Sequence, residues 1–323
     1  MKRRIFACVV SVAVFIALAS LPAGAQSYPN KSIRFIVAQQ PGSQNDVVAR
    51  MIAPRLAEVL GQPVVVDNRG GAGGAIGFEI MAQTPPDGYT LGMGSISTLG
   101  VIPMLPKKPR YDVFKDFAPV TLVSKSPYIV VVHPAVPAKT LKEFVALAKE
   151  RPGKLNYASS GNGTGVHLTS EMFKLATGIN MAHVPYKSAG PATIALLSGE
   201  VEVMLNNMIP AMPHLRAGKL RALAVTGSQR SSVVPQVPTV AESGYPNFES
   251  TSWQGVVTRA GTPPEVVERL NREIVKILNK PEVKSAIEND GNVVIANSPQ
   301  EFTAFLRTES KKLGEIIRIA HVE

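Results

Sequence analysis

Of 323 residues one is cysteine, one is tryptophan, 6% are aromatic and 18% are charged. A single cysteine cannot close a disulfide within the chain, so stability outside the cytoplasm has to come from burial. Sparse aromatics, with no basic cluster interleaved among them, exclude the stacking platforms of nucleic-acid binders, and no nucleic-acid partner is expected. Low charge beside 45% hydrophobic residues excludes disorder, and the length suits one large domain or two ordinary ones. Enzyme markers are also missing. There is no Walker loop and no Gly-x-Ser-x-Gly elbow, since Tyr186-Lys187-Ser188-Ala189-Gly190 lacks the first glycine. His133, His167, His183, His214 and His321 are scattered, so no metal or cofactor is expected.

Positive charge is in excess, with 34 Lys+Arg against 24 Asp+Glu. Lys2, Arg3 and Arg4 precede an apolar run from Ile5 to Leu21 and the small residues Ala23-Gly24-Ala25, the three regions of a secretory signal cleaved after Ala25. Cys8 leaves with that leader. The exported chain then carries 31 basic residues against 24 acids, an excess of seven that suits small anions better than a polyanion.

Short β-branched runs alternate with amphipathic stretches in two series, which predicts α/β architecture with mostly parallel sheets flanked by helices. The first series runs Ile33–Ala38, Val47–Leu60, Val64–Asp67, Ile76–Ala82 and Thr90–Met93. A second starts with Ile129–His133 and Leu141–Glu150 and continues to Arg221–Thr226. Phe117–Val123, ending at Ser124-Lys125-Ser126-Pro127, reads as a strand crossing between lobes, and Trp253–Val257 as the return. The expected division is a leader at 1–25, lobe I at 26–123 and 251–323, and lobe II at 124–250. Thr262-Pro263-Pro264 opens a helix to about Leu278, and Ser298 with Glu301 starts a last helix with a capping box.

Three strand ends run into turns that precede helices, where open α/β sheets bind ligands. The first carries Pro41, Gly42, Ser43, Gln44, Asn45 and Asp46; the amides of the following helix favour an anion, and Asp46 is a cap or packing residue before it is a ligand contact. The second is Gly94–Gly100, whose Ser95, Ser97 and Thr98 either donate to a carboxylate or close the turn locally. The third, Ser160, Gly161, Asn162, Gly163, Thr164 and Gly165, has the glycine density of an amide nest for an anion. His167 just beyond reads as packed or capping. The glycine loop Gly70–Gly77 fails the dinucleotide fingerprint, because Ile76 stands where the third glycine belongs, and it reads as tight packing.

With these loops in place, the chain resembles the receptors of tripartite tricarboxylate transporters, the Bug family. The resemblance rests on segments in order along the chain, among them Tyr28-Pro29-Asn30-Lys31-Ser32-Ile33-Arg34, Gly61-Gln62-Pro63-Val64-Val65-Val66-Asp67-Asn68-Arg69 and Pro86-Asp87-Gly88-Tyr89-Thr90-Leu91. Later segments include Pro152-Gly153-Lys154-Leu155-Asn156-Tyr157, His183-Val184-Pro185-Tyr186-Lys187 and Val237-Pro238-Thr239-Val240-Ala241-Glu242. It implies a monomeric two-lobe periplasmic binding fold of type II, the Venus flytrap, that closes on a small carboxylate and delivers it to a permease with a large and a small multi-span subunit. It also implies that the first and third loops hold the ligand, with the Ser95–Thr98 turn and the region of Asn206 and Asn207 completing the cleft. The chain departs from the family pattern at Gln39-Gln40, Ser43, Asn45 and Asn206, where the family commonly has an apolar pair, glycine, threonine and aspartate. Loss of an acid makes the cleft less hostile to an anion. Two other readings stand beside this one: a receptor feeding a sensor kinase, and an enzyme acting on a carboxylate, for which Ser160, His167 and Asp46 are the available residues.

Overall fold

The computed structural model describes residues 28–320, so the leader, Cys8 and His321 lie outside it. Among the described residues there are ten strands and ten α-helices: β1 Ile33–Val37, α1 Gln44–Leu60, β2 Val64–Asn68, α2 Ala75–Met81, β3 Thr90–Ser95, α3 Val113–Asp116, β4 Phe117–Val132, α4 Leu141–Glu150, β5 Asn156–Ser159 and α5 Gly165–Thr177. There follow β6 Ala182–Pro185, α6 Ala189–Ser198, β7 Val203–Asn207, α7 Met208–Arg216, β8 Arg221–Val225, β9 Thr251–Arg259, α8 Pro264–Leu278, α9 Pro281–Glu288, β10 Val293–Val294 and α10 Pro299–Ala320.

Local chemistry explains the element ends. Ser43 caps α1 by accepting the Asp46 amide, and Gly61, at φ 68°, ends it in the left-handed conformation that glycine tolerates. Thr140 and Thr164 cap α4 and α5 in the same way. Ser298 and Glu301 exchange the expected capping-box bonds, at 3.2 and 2.8 Å. On α8, Val266, Leu270, Ile274 and Ile277 recur at helical spacing and are buried, so that face packs on the sheet.

Two lobes are present, each a sheet with helices on both faces. The sheets are mixed: β2, β1 and β3 are parallel in one, and β6, β5 and β7 in the other. Strand β9 runs antiparallel to β3, and β4 runs antiparallel to β9, β10, β7 and β8. The antiparallel part follows from the crossing, because a chain that leaves a lobe by one strand and returns by the next must reverse direction.

Strand β4 is the main difference from the sequence reading. The expected runs Phe117–Val123 and Ile129–His133 are one strand of 16 residues. It pairs with β9 as far as Pro127 and with β7 from Tyr128 onward. Its prolines sit where a missing amide proton does least harm: Pro119 at a shift of register against β9, and Pro127 where the strand changes partner. Cores fill both faces of each sheet. Phe78, Phe117, Trp253, Phe302 and Leu306 lie together on the α10 face of lobe I, while Ile52, Leu56, Val256, Leu270 and Ile274 lie on its α1 and α8 face.

Candidate functional site

After β1 the chain turns through Pro41 and Gly42, both exposed, with Gly42 at φ 81°. Asp46 ties the turn to the helix. Its carboxylate accepts the Gly42 amide at 2.9 Å, Arg50 Nε at 2.9 Å and Asn68 Nδ2 at 2.9 Å. Burial pushes this carboxyl group up, but those bonds from Arg50, Gly42 and Asn68 outweigh it and hold the pKa below the usual range. Asp46 therefore acts on the loop's shape. Gln44 and Asn45, both buried, occupy the first turn, where helix amides have no intrahelical acceptor. Asn45 Nδ2 reaches the Met93 carbonyl at 3.5 Å and seats the start of α1 over the end of β3.

At that end, strand register continues the polar surface into the crossing strands. Ser95 of β3 pairs with Gln254 of β9, and Gln254 with Ser124 of β4; the next row pairs Ser252 with Ser126. The alternating residues Lys125 and Trp253 face α10, where Lys125 Nζ lies 4.0 Å from the Phe305 ring centre and Trp253 Nε1 donates to Glu309 at 3.0 Å. The serines and Gln254 thus face α1 and, from the other lobe, the start of α7. Gln254 Nε2 donates to Ser124 Oγ, and Asn207 Nδ2 to Ser252 Oγ, each at 3.0 Å. Gln44 Oε1 and Gln254 Oε1 are buried with no partner, as is Ser126 Oγ, while Ser95 and Thr98 form a capping box at the turn that follows β3. Leaving such a group unsatisfied costs about 1–3 kcal/mol. Ser124, Ser126, Ser252 and Gln254 were not among the residues expected from sequence; the available signal was polar residues at spacing two inside otherwise apolar strands.

In lobe II the Ser160–Gly165 loop presses against lobe I. Gly165 donates its amide to Ser97 Oγ at 3.0 Å, a buried bond between lobes. A Cβ on Gly163 would meet Leu105, and one on Gly73 the Asn162 carbonyl at 3.0 Å. The Gly70–Gly77 segment is thus packing, as expected, and part of the lobe contact. The loop's amides are largely engaged: Gly161 with Ser159 Oγ at 3.1 Å, Gly163 with His167 Nδ1 at 3.2 Å and Thr164 with the Gly161 carbonyl at 3.4 Å. Thr164 Oγ1 accepts the His167 amide and donates to the Gly161 carbonyl. Ser160 is half-buried, and Asn162 and Lys187 are exposed.

The structure therefore brings Gln44, Asn45, Ser95 and Ser97 of one lobe toward Thr164, Gly165 and Asn207 of the other, and leaves Pro41, Gly42 and Asn162 exposed. Ser160, His167 and Asp46 do not assemble: His167 Nδ1 holds Gly163, Asp46 is engaged by Arg50 and Asn68, and Ser159 is the serine that touches an imidazole, His183, at 2.6 Å. No group of three or more His, Cys, Asp or Glu able to hold a metal occurs among the described residues. An apolar groove of about 550 Å³ between α5, the Gly244–Phe248 segment and α10 lies away from the unpaired oxygens.

Two mixed sheets joined by crossing strands, with loops from both meeting over buried polar groups, define a two-lobe solute-binding receptor. The model of the tripartite tricarboxylate transporter family receptor matches residues 48–321, and the chain belongs to that family. It is 38% identical over 314 residues to protein BugT of Bordetella pertussis, covering 95% of each chain. A solved structure described as a periplasmic transporter is 40% identical, with a TM-score of 0.89 over 92% of this chain and 99% of that one. R. palustris Rpa4515 with adipate is 32% identical, with a TM-score of 0.89 over 91% and 99%. The protein is periplasmic, as family membership and these relatives indicate.

Proposed function

We propose that this receptor closes its lobes on a small organic acid that also carries a hydroxyl, amino or amide group, and presents it to a membrane permease of one large and one small multi-span subunit. In this reading it acts as a monomer and is not an enzyme. The mature chain begins after Ala25, with lobe I at 26–123 and 251–323 and lobe II at 124–250. Closure is a bend where β4 and β9 cross.

The observation that carries the reading is the pair of unpaired amide oxygens Gln44 Oε1 and Gln254 Oε1 beside the amides that open α1. The helix start favours an anion. With Gln254 Nε2 given to Ser124, the amide oxygens only accept, so what meets them must donate. A carboxylate alone would supply the first partner and not the second. The bound adipate of Rpa4515 supports an organic acid in this family. Ligand contacts from both lobes favour closure by their differential affinity for that state.

The test is a thermal-shift screen that pairs each unsubstituted acid with its hydroxy and amino derivatives. A ligand at 100 times its dissociation constant adds about 2.7 kcal/mol. A shift for substituted acids that exceeds the shift for their parents is expected. If no acid moves the melting point, the carboxylate reading fails; if parents and derivatives shift it equally, the donor requirement fails.

A further inference from the structure

Beneath the Gly161–Gly165 loop lies a column of flat rings. Tyr157 of β5 stacks on His183 of β6 at 4.7 Å and 11°, and His183 stacks on His167 of α5 at 4.1 Å and 9°. The loop hangs from this column. Gly163 donates its amide to His167 Nδ1, so that nitrogen carries a lone pair and His167 is neutral with its proton on Nε2. His183 Nε2 contacts Ser159 Oγ, which also accepts the amide of Gly161 and lies 3.2 Å from its carbonyl oxygen. Gly161, at φ 123°, and Gly163, at φ 69°, are the two left-handed positions that set the loop's path.

We propose that the His167–His183 pair positions the Gly161–Gly165 loop while both rings are neutral, and releases it when His167 takes a proton. This rests on reading that loop as part of the ligand site. A proton on Nδ1 turns an acceptor into a donor aimed at the Gly163 N–H. The bond is lost and the peptide turns away. With it go the fit of Gly163 against Leu105 and Ile102 and the approach of Gly165 to Ser97, which join the lobes. His183 differs, because a protonated Nε2 still donates to Ser159 Oγ, whose own proton then turns to the Gly161 carbonyl. Its part is to oppose charge on its neighbour, since two rings this close do not both ionise.

The charged groups acting on the column are Glu171 and Lys174, both on α5. Lys174 Nζ holds the two Glu171 oxygens at 2.9 Å, and the Tyr157 hydroxyl donates to the same carboxylate. Their opposite charges pull the rings in opposite directions. Burial is the largest influence: it lowers the pKa of His167 from 6.5 and, with the neighbouring ring, that of His183 to about 4.

The test follows the Gly163 amide and the His167 ring by NMR in the unliganded protein, from about pH 8 to about pH 4.5, for wild type and His167→Asn. Asparagine keeps an acceptor at the same branch of the side chain but does not titrate. In wild type the amide is expected to move in step with the ring, with a midpoint below 6.5, and in His167→Asn to stay flat. A wild-type amide that ignores the ring, or one that moves equally in the variant, overturns the proposal. Should the variant not fold, the wild-type titration alone decides. A second arm measures the affinity for malate, a hydroxy acid that a relative binds. As the pH falls from about 7.5 to about 5, wild type is expected to lose several-fold more affinity than His167→Asn, the variant controlling for protonation of the ligand itself. A wild-type affinity that rises on acidification more than the variant's overturns the proposal, because the imidazolium would then serve as a charge partner. If malate binds at no pH, the ligand reading fails for that probe, and the amide titration still decides the positioning role.

Discussion

Gly165→Ala adds one methyl group at the junction of the lobes. Built on the first residue of α5, that carbon would lie 2.6 Å from Ile96 Cγ2 and closer still to Tyr128 Oη. Relaxed carbon contacts are about 3.5–4.0 Å, so the overlap with Ile96 is about 1 Å. Neither neighbour can yield into solvent, since Tyr128 is 1% and Ile96 5% exposed. Overpacking of this kind costs about 1–3 kcal/mol, set against about 0.5–1 kcal/mol gained by replacing a helical glycine. Ile96 belongs to the opposite lobe, so opening relieves its share and the penalty falls on the closed state. With Ile96 carrying about half of that 1–3 kcal/mol, ligand affinity should drop about 2- to 12-fold at 1.4 kcal/mol per decade. Isothermal titration reads the affinity, and small-angle scattering reads the compaction that accompanies binding. A second substitution, Ile96→Ala, should restore much of the loss. If Gly165→Ala costs the same in the Ile96→Ala background, the two positions are uncoupled and the clash between lobes is refuted.

Ser97→Ala strands the Gly165 amide in the closed form at about 1–3 kcal/mol; faster ligand release with an unchanged melting point of the free protein is expected, by stopped-flow and calorimetry. Gln254→Leu should separate two properties. It removes an unpaired buried oxygen but also the bond from Nε2 to Ser124 Oγ, so the two effects offset and the stability of the free protein changes by less than about 1 kcal/mol in a thermal melt, while hydroxy and amino acids bind more weakly; a parallel loss of both would place Gln254 in the core alone. Stability should also fall with acid. Both histidines have lowered pKa values in the folded chain, so the unfolded chain binds protons first. The stabilisation is complete above about 6.5 and declines as pH falls toward about 4, the value for His183. Melting curves across that window should flatten for His167→Asn combined with His183→Gln. Below it the lowered carboxyl groups of Asp46 and Asp67 take over the decline.

What the residues announced, and what they withheld, follows from the range of the interactions. Helices such as α4 and α8 carry their burial pattern and caps within a dozen residues, and they fall where the pattern puts them. The join of two expected runs into β4 was hidden because Ser124, Ser126, Pro119 and Pro127 break the apolar pattern for reasons that depend on partners elsewhere. Helix α9 was not anticipated; it has only eight residues between Asn279 and the short strand β10. Glycine density located the lobe II loop, but not that its amides are bonded within the protein. The row of Gln254 and Ser124 needed a contact across 130 residues, which no local pattern encodes.

The continuity of β4 also bears on how the chain reaches its folded state. Residues 128–250 hold the strands that complete the second sheet, whereas the first sheet cannot close until β9 is available, and its α10 face until the last helix is made. Strand β3 waits for β9 across more than 150 residues, and pairings so distant in sequence form slowly because the loop must close before any contact rewards it. A first lobe that cannot be finished from its own early residues is completed last, by the C-terminal strand and helix, and a molecule shortened at that end is left with an open sheet edge that proteases can find.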